Sequence, residues 1–409
     1  TLGLPKVQAI NVADPGFIKA MNATLKTVPL AQLKAYLYWH LLDRAAPTLA
    51  DTFVQEDFRF ASQAFTGQKE IKPRWKRCVA ATGNALGDPL AHAFVDRTFG
   101  GDAKAYSQEM IKTIEAAMAA DLTSVSWMDQ PTRAQAEVKL SHIENQVGYT
   151  DKWRDFDGLR VARHSYLDNA LTASVFNSLY ELNKIGRPVD RKEWGMEPYV
   201  VNAYYSPADN KIVFPAGILQ PPFFSKDAPL AANYGAIGMV MGHELTHGFD
   251  DEGRQFDAKG NLRDWWTKPV AKEFDARTAC LVKQYGSYVP VDSLHLNGKL
   301  TLGENIADLG GMHLAYVALH QAEKQPAFAQ KVHGNVAGFT PDQQFFLSYA
   351  QEWCAKRRPE IERMLLRVDP HSPPRYRVNG VLQNTPAFAD AFQCKQGTAM
   401  APVETCKVW

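Results

Sequence analysis

The chain of 409 residues carries 45 Lys+Arg against 44 Asp+Glu, a net charge of +1, with 45% hydrophobic and 22% charged residues. These are globular proportions with length for two or three domains, and so neutral a chain has no long-range field to draw nucleic acid or anionic lipid, so neither is expected as a partner. No apolar run approaches the roughly 18 residues a membrane span needs, and Thr1-Leu2-Gly3-Leu4-Pro5 has neither the basic nor the apolar part of a signal peptide.

In chain order, residues 15 to about 145 read as helices separated by short polar or proline-containing turns. Leu30, Leu33, Leu37 and Leu41 make one helical stripe. Tyr106, Met110, Ile114 and Met118 make another between residues 103 and 122, and both stripes are expected in the core. Asp129-Gln-Pro-Thr132 has the polar residue and early proline of a helix start, the helix running to about Asn145. The texture changes after Gly148-Tyr-Thr-Asp-Lys-Trp153. Residues 199–205 and 211–214 are rich in β-formers and flank Ser206-Pro-Ala-Asp-Asn210, which predicts a β-hairpin. A very apolar helix follows from about Ala232 to Phe249, predicted to be buried, with Gly235, Gly238 and Gly242 on one side where another element packs closely. The reading is mainly α with a smaller β part, in two domains: a helical region 1–145, a linker 146–165 and an α+β region 166–409.

The five cysteines, Cys78, Cys280, Cys354, Cys394 and Cys406, include no Cys-x-x-Cys pair. An odd number leaves at least one thiol without an internal partner. Count alone also admits five free thiols in a cytosolic protein.

The chemistry is concentrated in Gly242-His243-Glu244-Leu245-Thr246-His247-Gly248. Residues i and i+4 lie one above the other on a helix, so both imidazoles can grip one tetrahedral Zn²⁺ while Glu244 reaches a water on it. A catalytic zinc takes three protein ligands and leaves one position open. Leu302-Gly-Glu304-Asn-Ile-Ala-Asp308-Leu-Gly-Gly311 predicts a second helix with Glu304 and Asp308 also at i and i+4. Glu304 is the candidate third ligand and Asp308 the acceptor for a ring N–H of a zinc histidine, His243. Alone, these two acids fit an exposed first turn complementing the helix dipole equally well; beside His-Glu-x-x-His the ligand reading prevails.

These motifs, with Val201-Asn-Ala-Tyr-Tyr205, Phe214-Pro-Ala-Gly-Ile-Leu-Gln-Pro-Pro-Phe-Phe224, Met239-Val-Met-Gly-His-Glu-Leu-Thr-His-Gly-Phe-Asp-Asp251 and Cys406-Lys-Val-Trp409, resemble the neprilysin and endothelin-converting-enzyme family of zinc metallopeptidases over nearly the whole chain. The resemblance implies a thermolysin-like zinc catalytic domain plus part of an all-helical lid domain enclosing a central cavity. It implies one Zn²⁺ per chain on His243, His247 and Glu304, with Glu244 as general base and Asp308 behind a ligand. Asn202, Ala203 and Tyr205 fall where the family holds the peptide main chain, which suits an edge strand. Without the family they read as an ordinary solvated edge. His371 and Arg377, in Asp369-Pro-His371-Ser-Pro-Pro-Arg375-Tyr-Arg377, match a transition-state histidine and a substrate-binding arginine, with Arg375 a competing candidate two residues away. Ile218, Phe223, Met239, Val240 and Trp353 match the pocket for the side chain after the scissile bond, where their apolarity implies large hydrophobic residues. The family usually has an aliphatic residue before that tryptophan; here it is Glu352.

The implied activity is zinc-dependent hydrolysis of internal bonds in small peptides. The resemblance further implies a Cys280–Cys406 disulfide, upstream partners for Cys78, Cys354 and Cys394, and a natural partner in the N-terminal polypeptide that precedes this segment in longer family members. An oxidising, extracytoplasmic location follows. The competing functions are a zinc-binding pseudo-enzyme that captures peptides without cleaving them, and an aminopeptidase. The first has no need of His243, Glu244, His247, Glu304 and Asp308 together, and the second lacks a Gly-x-Met-Glu-Asn-like segment before the zinc helix.

Overall fold

The computed structural model describes Val7 and residues 9–409. The chain divides into two compact units and passes between them more than once: residues up to Leu90 join Arg154–Asp190, and Ala91–Trp153 join Arg191–Trp409. These boundaries differ from the expected 1–145, 146–165 and 166–409, and the reason lies in which apolar faces meet.

The first unit is helical. Helix α1 (Pro15–Thr27) starts where the Asp14 carboxylate accepts the Phe17 N–H at 3.0 Å. It is followed by α2 (Leu30–Ala45), α3 (Asp51–Asp57) and α4 (Arg74–Ala85). Helix α8 (Tyr166–Leu182) belongs here because Asn177 donates to the last carbonyls of α4 and the Arg154 guanidinium sits over Phe156, Phe176 and Tyr180. The Leu30–Leu41 stripe forms the predicted helix but not the predicted core: α2 buries no residue, and Leu30 and Leu37 are 67% and 65% exposed. A four-residue period encodes a helix and its apolar face; it does not supply the element that covers that face.

The second unit holds the large core. The part of helix α5 (Gly87–Thr98) from Ala91 on and helix α6 (Ala103–Ser124) open it, and on α6 the expected Met110, Ile114 and Met118 are buried. Helix α7 (Gln130–Ser141) begins as the sequence predicts, the Asp129 carboxylate accepting the Thr132 N–H at 3.0 Å. It ends four residues earlier than expected. Glu144–Gly148 is instead strand β1, pairing parallel with β3 (Lys211–Pro215), and Gly148 has φ +81. Nothing local in Glu144-Asn-Gln-Val-Gly148 announces this, because the partner strand is more than sixty residues away.

The predicted hairpin is present but shorter. Strand β2 (Tyr204–Ser206) pairs antiparallel with β3, Asn210 takes the left-handed turn position at φ 48, and the sheet order β1-β3-β2 leaves β2 at an edge. Asn202 and Ala203 lead into β2 rather than belonging to it.

The apolar helix runs as α9 (Leu230–Asn233), a π turn (Tyr234–Gly238) and α10 (Met239–His247). Beyond it lie α11 (Lys268–Gly286) and α12 (Leu302–Ala322), then α13 (Pro341–Glu352) and α14 (Pro359–Val368), with α15 (Pro374–Leu382) and α16 (Pro386–Ala391) last. A Cβ on Gly235 would lie 2.0 Å from the Phe345 carbonyl of α13, and one on Gly242 would lie 2.8 Å from the Gly311 carbonyl of α12, so two of the three helical glycines serve the expected close packing. Gly238 meets only its own turn, at Tyr234.

At the α10–α12 crossing a Cβ on Gly311 would stand 2.5 Å from the His243 backbone nitrogen. Gly311→Ala therefore forces the two helices apart at the point that sets Glu304 against His243. The expected result is a loss of about 1–3 kcal/mol in denaturant unfolding together with weaker zinc binding. A variant with unchanged midpoint and unchanged zinc affinity would show that the crossing yields without cost.

Candidate metal centre

The centre is built in the second unit from two helices presenting i, i+4 pairs to each other. His243 and His247 project from α10 with ring centroids 4.5 Å apart and their Nε2 atoms 3.0 Å apart. Glu304, in the first turn of α12, brings Oε2 to 3.4 Å from His243 Nε2 and Oε1 to 3.6 Å from His247 Nε2. One ligand atom from each of the three lies within 4.8 Å of the others. Glu304 Oε2 is buried and makes no hydrogen bond, with the Arg377 guanidinium 3.7 Å away, so it keeps a lone pair free for a bound cation. Two imidazoles and one carboxylate fit Zn²⁺.

The outer ring nitrogens are held from behind. Asp308 Oδ1 lies 2.8 Å from His243 Nδ1, and Asp250 Oδ2 lies 2.7 Å from His247 Nδ1. Each contact fixes the tautomer that turns Nε2 toward the centre. Arg377, on α15, donates through Nε to Asp308 Oδ2 at 2.7 Å and through its terminal nitrogen to Asp308 Oδ1 at 2.5 Å, and its guanidinium lies 3.9 Å from the Trp353 ring centre. Arg377 is buried and Arg375 is exposed, and only Arg377 is among the residues that line the cavity around the centre.

Around the centre lies a cavity of about 480 Å³. His243, Glu244, His247 and Glu304 line it, as do Asn202, Ala203, Tyr205, Ile218, Phe223, Met239, Val240, Trp353, His371 and Arg377. The structure thus gathers every site residue expected from the sequence around one space, with Asp308 behind His243. His371, before α15, has its Nδ1 2.7 Å from Asp369 Oδ1 and its Nε2 3.3 Å from Glu304 Oε1, so its second nitrogen faces the centre.

Residues 202–408 match the sequence model of peptidase family M13, and residues 1–150 match the model of that family's N-terminal part. The chain belongs to peptidase family M13. Endothelin-converting enzyme 1 of Bos taurus is 39% identical over 98% of this M13 chain and 54% of its own length; an endothelin-converting enzyme homolog of Locusta migratoria is 38% identical over 100% and 57%. Among solved structures, the Mycobacterium tuberculosis zinc metalloprotease ZMP1 in complex with inhibitor superposes with a TM-score of 0.90 at 38% identity, covering 96% of this chain and 60% of that one. The M13 chain spans about half the length of the curated relatives it matches. The mainly helical architecture with a small sheet is that of the M13 zinc metalloproteases.

Electrostatics in the M13 chain favour positive charge at the centre. Burial disfavours charge on His243, yet its contacts with Asp308 and Glu304 lift its pKa to about 10. Burial likewise opposes charge on Glu304, but His243 and His247 hold its carboxyl far below the usual range. Burial raises the Glu244 carboxyl, opposed by the two histidines.

One feature of the M13 site, Asp250, escaped the sequence reading, and another, Glu352, was legible only as a departure from the family pattern and acquires its setting in the structure. Asp250 stands three residues after His247, one turn beyond the helix, and only the reversal after Gly248 returns its carboxylate to the ring; the His-x-x-Asp spacing was the available signal. Glu352 ends α13 beside Trp353. Trp353 lines the cavity and Glu352 does not: both its carboxyl oxygens are buried without hydrogen bonds, and burial pushes the carboxyl well above the usual range, with Arg377 opposing. The expected disulfide joins Cys280 to Cys406, while Cys78, Cys354 and Cys394 are thiols.

Proposed function

We propose that this chain is the metal-bearing part of a zinc endopeptidase that hydrolyses internal bonds of small peptides, with a large hydrophobic residue preferred after the scissile bond. The observation that carries this reading is the convergence of His243, His247 and Glu304 within 4.8 Å on the wall of a cavity that Glu244 also lines. Zinc bound there would polarise a substrate carbonyl and lower the pKa of a water from 15.7 toward about 7. Glu244 accepts the proton of the attacking water and delivers it to the leaving amine. His371, oriented by Asp369, presents its other nitrogen where charge develops on the carbonyl oxygen. Arg377, anchored on Asp308, holds a carbonyl or carboxylate of the bound peptide. The edge at Asn202, Ala203 and Tyr205 offers main-chain hydrogen bonds to an extended peptide, and Ile218, Phe223, Met239, Val240 and Trp353 receive the side chain that follows the cleaved bond.

The Cys280–Cys406 disulfide supports an extracytoplasmic location, periplasmic, secreted or tethered through segments beyond these residues. No described helix is long and apolar enough to cross a membrane. Coverage of about half of the relatives supports the remaining polypeptide as the natural partner.

Quenched fluorescent peptides carrying Phe, Leu or Asp after one central bond test the reading. Expected are one zinc per chain, cleavage before Phe or Leu in preference to Asp, loss of cleavage on chelation and its return with zinc. Absence of internal cleavage by the zinc-loaded chain, both alone and with the remaining polypeptide supplied, would overturn it.

A further inference from the structure

Lys139 lies on α7, more than a hundred residues before the zinc motif, and nothing in the proposed chemistry uses it. Its side chain is fully buried, at 0% exposure, although an isolated buried ammonium is costly. The ammonium donates to three backbone carbonyls, those of Gly248 at 2.6 Å, Gly253 at 2.7 Å and Phe256 at 2.8 Å. Three acceptors match the three N–H bonds of the charged form; a neutral amine would leave one carbonyl without a donor. Burial pulls the group down to about 7, with Asp250 and Asp257 working against that pull.

The three carbonyls belong to the segment that follows the metal helix. Gly248 O is one of the C-terminal carbonyls of α10 left without a partner inside the helix. Between it and Gly253 the chain reverses so tightly that a Cβ on Gly253 would lie 1.7 Å from the His247 carbonyl. Inside this reversal the Asp250 carboxylate divides its work. Oδ1 accepts the N–H groups of Glu252 at 2.9 Å and Gly253 at 2.6 Å, and Oδ2 meets His247 Nδ1 at 2.7 Å. The ammonium therefore pins both ends of the loop that carries the orienting carboxylate, without touching a metal-ligand side chain. The Lys139 carbonyl also accepts from Asn210 Nδ2 at 3.1 Å, and the Asn210 amide oxygen accepts from the Tyr205 hydroxyl at 3.0 Å, so α7 is fixed to the hairpin as well.

The geometry points to Lys139 as a positioning residue for the metal centre: its ammonium gathers the Gly248, Gly253 and Phe256 carbonyls so that Asp250 is held on His247 before metal arrives. The inference rests on the zinc reading of His243, His247 and Glu304 and adds to it a residue that acts through the loop.

The test compares the full chain with Lys139→Met, Asp250→Asn and the double variant. Zinc affinity is measured by competition with a chromophoric chelator, ligand geometry from the visible spectrum of the Co²⁺ form, and folding by circular dichroism and thermal melting. Each single variant is expected to weaken zinc binding by about 10–100-fold and to alter the Co²⁺ spectrum, and the double variant to bind no worse than the weaker single. Zinc affinity and Co²⁺ spectrum unchanged in Lys139→Met, with only the melting temperature lowered, would reduce Lys139 to a structural strut and overturn the inference. So would losses that multiply in the double variant. A parent chain that takes up no zinc overturns the metal reading itself, a result distinct from either.

Because Lys139→Met removes three buried hydrogen bonds, the parent supplies a second measurement. In the zinc-free parent, the Glu252 and Gly253 amides are expected to stay protected from hydrogen exchange by at least about 100-fold. Exchange of these two amides at unprotected rates in a folded parent would overturn the inference however the variant behaves.

Discussion

Glu244→Gln is expected to keep one zinc per chain and to lower peptide turnover by about 10²–10⁴-fold. The reason is a division of labour on one helical turn. The candidate ligand atoms come from His243, His247 and Glu304, whereas Glu244 is a buried carboxyl on the same cavity wall and outside that set. An amide of the same shape leaves packing and ligands alone but cannot accept a proton. His247→Ala makes the contrast, because it removes a ligand and should lose zinc and turnover together. Metal analysis alongside cleavage of a Phe-containing quenched peptide separates the two. Turnover within about threefold of the parent in a zinc-loaded Glu244→Gln chain would remove Glu244 from the chemistry.

Arg377→Met is expected to cost about 3–5 kcal/mol of stability, because it strands a fully buried carboxylate. Asp308 is 0% exposed, and two of its contacts come from Arg377 and one from His243. Burial alone would raise the Asp308 carboxyl; Arg377 and His243 outweigh it and hold it below the usual carboxylate range. Stability from a carboxylate lowered in this way is fully present above its unfolded pKa, about 4. It is lost as pH falls through the lower folded value. Removing Arg377 shrinks that gap, so the variant should unfold at higher pH than the parent on acid titration, besides showing a lower urea midpoint. A parent and variant with coincident acid transitions would mean that Asp308 draws its stabilisation from His243 alone. Peptide affinity should fall as well, since the guanidinium lines the cavity and packs on Trp353.

What the sequence revealed was chemistry with a local period. His243 and His247, then Glu304 and Asp308, each stand four apart, and a helix makes such pairs neighbours whatever surrounds them. Asp129-Gln-Pro-Thr132 is legible for the same reason, since a cap is settled within four residues. The join between the zinc pentapeptide and Glu304 spans about sixty residues, and spacing alone left Glu304 and Asp308 equally suited to an exposed first turn. The His-Glu-x-x-His motif broke that tie, and the glycines at 242 and 311 show what makes the approach sterically possible.

The features that escaped the sequence share one physical trait, a partner distant along the chain. Strand β1 exists because β3 lies beside it, and Glu144-Asn-Gln-Val-Gly148 has no strand pattern of its own. Helix α2 and helix α6 carry similar apolar stripes, yet only α6 is buried, because burial belongs to a pair of surfaces and periodicity describes one. The assignment of α8 to the first unit and of α6 and α7 to the second follows from the same condition. Lys139 is the sharpest case. By itself a helical lysine predicts a solvated side chain; only a loop that turns three carbonyls toward it makes a buried ammonium tenable and ties α7 to the metal centre. The sequence alone determined which residues can bind zinc and move a proton, because those capacities belong to residue types at short spacing. Tertiary structure decided which of them converge, what holds each ring in place and which apolar faces are covered, because those depend on contacts between segments that no local pattern encodes.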